Sequence, residues 1–123
     1  MEDKKILFVE DSPTMRRIIH NSLSRIGFTD ISEAENGLDA LEKIKSKDFD
    51  MILTDWNMPE MNGQDLVEEL RKADKYKNVP ILMITTRGMQ DDVMTAIKSG
   101  VNGYIVKPFT PEVLKKKMQE LIQ

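Results

Sequence analysis

Short runs of apolar residues recur along the chain, and longer segments between them space their apolar residues three or four positions apart. Within the runs the apolar residues are continuous instead of alternating with polar ones, which is typical of strands buried on both faces of a parallel sheet. We therefore predict strands at Ile6–Val9, Met51–Leu53, Ile81–Ile84 and Tyr104–Val106, and a weaker one around Ile31.

Each predicted strand is followed by a segment with the period of an amphipathic helix. The apolar positions of these segments are Met15, Ile18, Ile19, Leu23 and Ile26, then Leu38, Leu41 and Ile44, then Leu66, Val67 and Leu70, then Val93, Ala96 and Ile97, and finally Leu114, Met118, Leu121 and Ile122. Ser12-Pro13 and Thr110-Pro111 each place a capping hydroxyl before a proline at the first helical position. Gly27 and Gly100 follow their helices, where glycine commonly ends a helix.

Repeated βα units predict an α/β fold, namely a single doubly wound (βα)5 domain over residues 1–123 with a five-stranded parallel sheet and helices on both faces. No linker, repeat or low-complexity segment interrupts this pattern, so we expect no separate output domain. In such folds, ligands bind beyond the carboxyl ends of the strands. The residues that follow the strands are therefore the first candidates for a functional site.

Composition narrows the function classes. The chain has 123 residues, 18 Lys and Arg against 21 Asp and Glu, a formal net charge of −3, and no cysteine. The acidic balance disfavours nucleic-acid binding, because duplex affinity comes largely from Lys and Arg that neutralise phosphates. The lack of cysteine excludes disulfides, thiolate catalysis and cysteine-ligated metals. Because no apolar run approaches the roughly 20 residues that span a bilayer and no signal peptide fits, we expect a cytoplasmic monomer without membrane insertion.

Charged and hydroxyl side chains follow four of the predicted strands, at Glu10-Asp11, Asp55, Thr85 and Lys107. Three carboxylates at one sheet edge repel one another at neutral pH, unless a cation balances them or a proton stays bound. Oxygen ligands without His or Cys favour a hard cation, and Mg²⁺ is typically held by a few carboxylates with waters and phosphate oxygens. The sequence therefore predicts a Mg²⁺ site.

Thr85 and Lys107 are not needed for the metal, but they suit a phosphoryl group. A hydroxyl donor and an ammonium group can bind two phosphoryl oxygens while the metal takes another. The carboxylate between them is then placed as a nucleophile. Asp55 is the best candidate, because it follows the predicted central strand.

With these residues identified, the chain resembles the receiver domains of bacterial two-component response regulators over essentially its whole length. The matching motifs are Glu10-Asp11, Asp55 within Leu53–Pro59, Gly63, Thr85 and Lys107-Pro108-Phe109. Tyr104 and Trp56–Pro59 are more narrowly similar to the single-domain chemotaxis regulators of that family. The resemblance implies a flavodoxin-like sheet of strand order 2-1-3-4-5, which the apolar pattern alone does not establish.

The resemblance also implies the chemistry. Asp55 is expected to accept a phosphoryl group from the phosphohistidine of a sensor histidine kinase, with Mg²⁺ as cofactor. The implied metal ligands are Asp11, Asp55, the backbone carbonyl of Asn57, and Glu10 either directly or through a water. Thr85 is expected to bind a phosphoryl oxygen and Lys107 to pair with the phosphate. The domain is expected to be a signalling phosphoacceptor that assists its own phosphorylation and dephosphorylation, and not an enzyme.

The output implied by the resemblance is binding to a flagellar motor switch protein. The expected surface includes Tyr104, Lys117 and Met94, and it would bind more tightly after phosphorylation. A phosphatase remains open as a further partner. The alternative within the family is a single-domain phosphorelay intermediate that passes its phosphoryl group to another histidine protein.

The chain departs from the family's pattern at two positions. Glu10 stands where the family most often has Asp, and its extra methylene leaves open whether Glu10 binds Mg²⁺ directly or through water. Arg87 lies two residues after Thr85, on the rim of the expected phosphorylation site. A cation at this rim could attract phosphodonors or alter the access of water.

Two other readings of the site are disfavoured. A haloacid-dehalogenase-type phosphatase also uses an aspartyl nucleophile, but it needs a second Asp two residues later as the proton donor, and this chain has Asn57 there. A flavin-binding module of the same fold needs a phosphate-cradling loop after the first strand, where Glu10-Asp11 instead places negative charge. Nearby Trp56 is expected to be structural, and His20 to lie on a helix surface.

Overall fold

A computed structural model describes residues 3–122. The strands are β1 (Lys5–Val9), β2 (Asp30–Ala34), β3 (Met51–Thr54), β4 (Ile81–Thr85) and β5 (Gly103–Val106). The α-helices are α1 (Pro13–Ile26), α2 (Gly37–Ser46), α3 (Gly63–Lys72), α4 (Gln90–Ser99) and α5 (Pro111–Ile122), and a short 3₁₀ helix covers Asp74–Tyr76. The predicted domain bounds 1–123 include residues 1, 2 and 123, which lie outside the described residues.

The strands form one parallel sheet in the order β2-β1-β3-β4-β5, which confirms the doubly wound fold and the expected strand order. Strands β1 and β3 are neighbours, with Val9 paired to Thr54, so these strands end side by side. The strand order reverses direction at β1, and the residues that follow β1 and β3 therefore meet at the switch point of the sheet.

Two hydrophobic layers cover the sheet. One face packs against α2, α3 and α4, through buried residues such as Ala40, Leu66 and Ala96. The other packs against α1 and α5, through residues such as Leu23 and Leu114. Because the central strands are buried on both faces, their side chains read as continuous apolar runs in the sequence.

The predicted helix ends are present. Ser12 Oγ accepts a hydrogen bond from the backbone N–H of Met15 at 3.2 Å, and Thr110 Oγ1 accepts one from Val113 at 3.2 Å. Gly27 and Gly100 end α1 and α4 with φ angles of 120° and 121°, a region that favours glycine.

Two features were not predicted. Asn36 and Asn62 cap α2 and α3, since their side-chain oxygens accept backbone hydrogen bonds from residues three positions later. The 3₁₀ helix Asp74–Tyr76 places Tyr76 in the core, where its hydroxyl accepts a hydrogen bond from the backbone of Phe49 at 3.3 Å. Among residues 3–122, no helix is both long and apolar enough to cross a bilayer.

Arg71 joins several segments at the amino ends of the strands. Its guanidinium donates hydrogen bonds of 2.7–3.0 Å to the carbonyls of Gly100, Tyr76 and Val79, which precede β5 and β4. It also donates to Asn102 Oδ1 at 2.7 Å. Burial lowers the pKa of Arg71 from its ordinary value, although a guanidinium remains charged at any physiological pH.

Candidate phosphoacceptor and metal site

An acidic cluster lies at the carboxyl ends of β1 and β3. Glu10, Asp11 and Asp55 each place one carboxylate oxygen within 4.8 Å of the others. They meet because β1 and β3 are adjacent and end level with each other. Glu10 is only 2% exposed, whereas Asp11 is exposed and makes no hydrogen bond or ion pair within residues 3–122. The cluster therefore has one carboxylate that is open to solvent and free to bind a ligand.

Lys107 is the cation of this cluster. Its Nζ atom lies 2.7 Å from Glu10 Oε1 and 3.1 Å from Asp55 Oδ2, and its side chain is 10% exposed. Burial alone lowers the pKa of Lys107, but the hydrogen bond to Glu10 and the attraction of both carboxylates outweigh it, so the pKa is raised. Lys107 is therefore charged at neutral pH. One ammonium group still faces three carboxylates.

Burial raises the pKa of Glu10 above its ordinary value. The hydrogen bonds from Lys107 and from the backbone N–H of Ser12 oppose this rise, and the repulsion from Asp55 adds to it. The Ser12 bond, at 3.1 Å, engages Glu10 Oε2 while Lys107 engages Oε1. Both oxygens of Glu10 are thus partly committed to protein donors.

The backbone around Asp55 is held tightly. Asp55 Oδ1 accepts a hydrogen bond from the backbone N–H of Trp56 at 2.7 Å, and the Asp55 carbonyl accepts one from Thr54 Oγ1 at 2.8 Å. The N–H of Gly63 donates to the Trp56 carbonyl at 2.8 Å. A Cβ atom at position 63 would lie 2.0 Å from the Asp55 carbonyl oxygen, so only glycine fits. Gly63 thereby lets α3 begin against the turn that carries Asp55.

The cluster suits a hard divalent cation. Its potential ligands are all oxygens, they lie close enough to share one ion, and their charge exceeds that of Lys107. This donor set is the one that Mg²⁺ binds in proteins. Asn57, whose carbonyl was expected to complete the set, is exposed two residues after Asp55.

Thr85 ends β4 and is fully buried. Its Oγ1 accepts a hydrogen bond from the backbone N–H of Arg87 at 3.3 Å. Within residues 3–122, no hydrogen bond joins Thr85 to Glu10, Asp11 or Asp55. The hydroxyl is therefore directed to the loop between β4 and α4.

Arg87 organises an aromatic cluster beside the site. Its guanidinium carbon lies 3.9 Å from the centre of the Trp56 ring, and Nη2 lies 3.4 Å from Asp92 Oδ1. The Arg87 carbonyl accepts a 2.5 Å hydrogen bond from the Tyr104 hydroxyl. Tyr104 also meets Trp56 edge to face, with ring centres 6.4 Å apart. The side chain of Arg87 is thus stacked and paired, instead of extending freely at the rim.

The comparisons with known proteins agree with this geometry. The family model described as the response regulator receiver domain matches residues 6–119. The chain belongs to this family. It is a CheY-type receiver domain of two-component signalling, whose partners are histidine kinases.

Curated relatives extend over nearly the whole receiver domain. The chain is 56% identical to "Chemotaxis protein CheY1" of Helicobacter pylori over 119 residues, which cover 96% of each chain. It is 47% identical to "Chemotaxis protein CheY" of Pseudomonas aeruginosa over 119 residues, which cover 97% of this chain and 96% of the relative.

Solved structures support the same assignment. Chemotaxis protein CheY4 of Vibrio cholerae superposes with a TM-score of 0.90 at 36% identity, covering 96% of this chain and 98% of the other. The receiver domain of a sensor histidine kinase of Pseudomonas aeruginosa superposes with a TM-score of 0.88 at 28% identity, with 97% of both chains covered. That structure is described as having a magnesium ion coordinated in the active site cleft.

The residues expected on the output surface of this receiver domain are spread over three elements. Met94 is exposed on α4, Tyr104 is half-buried on β5, and Lys117 is partly exposed on α5, 3.9 Å from Glu120. Strand β5 is the edge of the sheet, and α4 and α5 cover its opposite faces. The three residues can therefore contribute to one surface, which we name the α4–β5–α5 face.

Sequence reasoning missed the contacts of Arg87 with Trp56 and Asp92. A cation five residues before an acid at a helix start is a weak signal, and nothing local indicates the stacking on Trp56. A surface cleft of about 640 Å³ is not lined by any residue of the acidic cluster. It lies between α1 and the start of α5, with Ile18 and Phe109 among its lining residues.

Proposed function

We propose that this receiver domain is a chemotaxis switch. Asp55 accepts a phosphoryl group from the phosphohistidine of a sensor kinase, and the phosphorylated form binds a flagellar motor switch protein. The observation that carries the phosphoacceptor assignment is Lys107 Nζ, 3.1 Å from Asp55 Oδ2, within a cluster of three carboxylates. A carboxylate beside an ammonium group and a divalent-cation site has the surroundings that an aspartyl nucleophile needs.

In the proposed transfer, a carboxylate oxygen of Asp55 forms the new bond to phosphorus. The bond between phosphorus and the donor's imidazole nitrogen breaks, and its electron pair goes to that nitrogen. Asp11, Asp55 and the Asn57 carbonyl would hold Mg²⁺, with Glu10 acting directly or through a water. Bound Mg²⁺ offsets the negative charge of the carboxylates and phosphoryl oxygens that approach each other. Lys107 adds its positive charge beside the same oxygens.

The contacts of Glu10 support the role through a water. Its Oε1 accepts a hydrogen bond from Lys107 and its Oε2 one from the backbone N–H of Ser12, while Asp11 has no such partner among residues 3–122. Mg²⁺ keeps several waters in its octahedral shell, and a carboxylate that is already hydrogen-bonded can accept from one of them. In this proposal Glu10 would accept a hydrogen bond from a water of the bound ion, and it holds Lys107 close to Asp55.

The contacts of Arg87 support a route from the site to the output face. A phosphoryl oxygen on Asp55 would recruit the Thr85 hydroxyl as a hydrogen-bond donor. Thr85 Oγ1 now accepts from the Arg87 N–H, and the Arg87 carbonyl in turn accepts from the Tyr104 hydroxyl. A movement of Thr85 therefore changes the position of the group that holds Tyr104. Phosphorylation would thus select one of two packings of the Tyr104 ring.

The α4–β5–α5 face has the surface that such an output requires. Met94, Met89 and Ile97 expose 48%, 73% and 59% of their surface on or beside α4, and Val106 exposes 44% on β5. Exposed apolar groups near one another commonly mark protein-binding surfaces, and methionine adapts to varied partners. A flagellar switch protein is the proposed partner because the curated relatives are named chemotaxis proteins.

Phosphorylation is tested by incubating the chain with Mg²⁺ and a small acyl phosphate. We expect a gain of one phosphate in intact mass. We also expect a change in Trp56 fluorescence, because Trp56 is adjacent to Asp55 and its backbone N–H donates a hydrogen bond to Asp55 Oδ1. Asp55→Asn should remove both signals, and Asp91→Asn, on the exposed start of α4, should retain them. Undiminished labelling in excess chelator would contradict the Mg²⁺ requirement.

The output is tested by binding a motor switch peptide with and without beryllofluoride and Mg²⁺. We expect at least about tenfold tighter binding with the phosphoryl mimic, which needs only about 1.4 kcal/mol of coupling. Tyr104→Ala and Thr85→Ala should reduce this difference, and Tyr104→Phe separates loss of the hydroxyl from loss of the ring. Equal binding in both states would reject the motor partner and favour the phosphorelay alternative, which phosphotransfer to a second histidine protein would then test.

The proposal includes three further expectations. The chain acts in the cytoplasm and as a monomer. It is not an enzyme for external substrates, because Asn57 lacks the carboxyl group that would protonate a leaving group. Turnover of a phosphate ester by the purified chain would contradict the last expectation.

A further inference from the structure

Arg16 on α1 contacts the acidic cluster through the backbone. Its Nη1 atom donates a 2.8 Å hydrogen bond to the carbonyl oxygen of Glu10. This carbonyl belongs to the peptide that links Glu10 to Asp11, the two acids that follow β1. The bond joins the first turns of α1 to the segment from which both carboxylates project.

Arg16 is itself held in place by β2. Its Nε atom lies 3.7 Å from Glu33 Oε1, and its side chain is 21% exposed. The other carboxylate oxygen of Glu33 lies 3.0 Å from His20 Nδ1, one helical turn after Arg16. Glu33 pairs with Phe8 in the sheet, so it is fixed relative to β1. The ion pair with Glu33 on β2 thus helps to fix the orientation of the Arg16 guanidinium that donates to the Glu10 carbonyl.

The Glu10–Asp11 peptide has few other restraints on its Asp11 side. Asp11 is exposed and makes no hydrogen bond or ion pair within the described residues. Rotation of this peptide would turn the Asp11 carboxylate away from Glu10 and Asp55. Octahedral Mg²⁺ tolerates little displacement of its ligands, so the orientation of this peptide affects the metal site directly.

From these contacts we propose that Arg16 is a positioning residue for the metal site, because its bond to the Glu10 carbonyl fixes the direction of the Asp11 carboxylate. The proposal rests on the proposed function, in that the acidic cluster binds Mg²⁺. Arg16 does not touch the metal. It acts through the peptide, in the way that groups hydrogen-bonded to metal ligands tune metal affinity.

The sign of the effect separates positioning from simple charge. Arg16 is a cation near a cation site, and its charge alone repels Mg²⁺. If charge were its only influence, Arg16→Ala would strengthen Mg²⁺ binding. If Arg16 positions Asp11, the same substitution weakens binding, because the peptide is no longer held.

The test is a Mg²⁺ titration monitored by Trp56 fluorescence, with no phosphodonor present. We expect the dissociation constant of Arg16→Ala to rise by about tenfold, the lower end of the range for lost ligand support. Arg17→Ala is the matched control, since Arg17 is exposed and makes no hydrogen bond or ion pair within residues 3–122. Its dissociation constant should be unchanged or slightly lower.

Thermal unfolding with and without Mg²⁺ separates positioning from a general loss of stability. A purely structural role lowers the unfolding temperature equally in both conditions. A positioning role also reduces the increase in unfolding temperature that Mg²⁺ produces at a fixed concentration, since that increase depends on affinity.

If Arg16→Ala does not fold, Arg16→Lys is measured in its place. Lysine keeps the charge but lacks the guanidinium fork, and we expect binding about threefold weaker than wild type.

The outcomes distinguish this inference from the proposed function. A wild-type chain without any Mg²⁺ response would contradict the metal site, and with it both proposals. A wild-type chain that binds Mg²⁺ together with an Arg16→Ala variant that binds it equally well or more tightly would overturn the positioning role alone. If Arg16→Ala does not fold, an Arg16→Lys affinity equal to wild type would also overturn it.

Discussion

The two ends of the sheet each hold a partly buried cation, and their surroundings differ. At the amino ends, Arg71 donates from all its guanidinium nitrogens to neutral oxygens, including the carbonyls of Gly100 and Val79. At the carboxyl ends, Lys107 donates to two carboxylates, Glu10 and Asp55. Every guanidinium nitrogen of Arg71 donates to an oxygen of the protein. Lys107, in contrast, carries one positive charge against the three carboxylates of the acidic cluster, so negative charge remains in excess there.

This difference indicates what each cation does. A charge whose hydrogen-bonding capacity is fully used by the protein has nothing left to offer a ligand, and it stabilises the fold. A cluster whose charges do not balance gains free energy when a cation binds, at the cost of stability while it is empty. Substitutions at the two ends should therefore change different measured quantities.

The largest expected effect is the complete loss of phosphorylation in Asp55→Asn. The amide cannot act as the nucleophile, although it retains an oxygen that can accept from the Trp56 N–H. Intact mass after incubation with Mg²⁺ and an acyl phosphate measures the effect. A mass gain of one phosphate on this variant would show that another residue accepts the group. It would contradict the assignment of the phosphoacceptor to the carboxyl ends of the strands.

Arg71→Ala should destabilise the fold by about 3 kcal/mol, because it removes the guanidinium donor from several partly buried carbonyls. Urea unfolding without Mg²⁺ measures this change. Phosphorylation and the Mg²⁺ dissociation constant of the folded variant should match wild type. Arg71→Lys should lose a large part of the same stability, since one ammonium group cannot replace the fork. A loss of Mg²⁺ affinity in folded Arg71→Ala would mean that the two ends are not independent.

Arg87→Ala tests a cation that has one neutral and one acidic partner, whereas Arg71 has only neutral partners and Lys107 only acidic ones. Arg87 contacts the Trp56 ring and the Asp92 carboxylate. We expect a loss of about 1 kcal/mol in the free energy of unfolding, as for a cation over an aromatic ring near the surface. The Trp56 emission should shift to longer wavelength because water reaches its ring. Asp92→Asn removes only the ion pair and should change stability by less than about 0.5 kcal/mol. An unchanged Trp56 spectrum in Arg87→Ala would contradict the stacking.

The smallest expected effect is a change of pH dependence in Glu10→Gln. Burial raises the pKa of folded Glu10 above 4.5, so its protonated form stabilises the fold below that pH. This stability is lost as the pH rises through the folded-state pKa. The amide side chain of the variant cannot ionise, so the stability of Glu10→Gln relative to wild type should increase from pH 4.5 towards neutral pH without Mg²⁺. Parallel pH profiles of the two proteins would contradict the raised pKa.

The sequence by itself determined the βα succession and the residues that follow the strands. The buried strand β4 begins with four consecutive apolar residues, Ile81–Ile84, and helix starts such as Ser12-Pro13 carry their own capping signal. These signals are local. The edge strand β2 was weak in the sequence because most of its residues are only partly buried, as Asp30 and Ser32 illustrate. The acidic cluster could be predicted because side chains that follow parallel strands share one edge of the sheet.

Tertiary structure alone decided which of these charges meet. Lys107 and Glu10 are 97 residues apart in sequence, and Arg71 and Gly100 are 29 apart. The sequence placed Lys107 at the same sheet edge as the carboxylates, but only the tertiary structure shows that its ammonium group contacts both Glu10 and Asp55. No local pattern distinguishes an arginine that binds carbonyls, such as Arg71, from one on a helix surface. The stacking of Arg87 on Trp56 and the bond from Arg16 to the Glu10 carbonyl depend in the same way on strand order and helix placement. Burial and pairing are properties of the folded neighbourhood, and that neighbourhood exists only once the sheet has brought distant segments together.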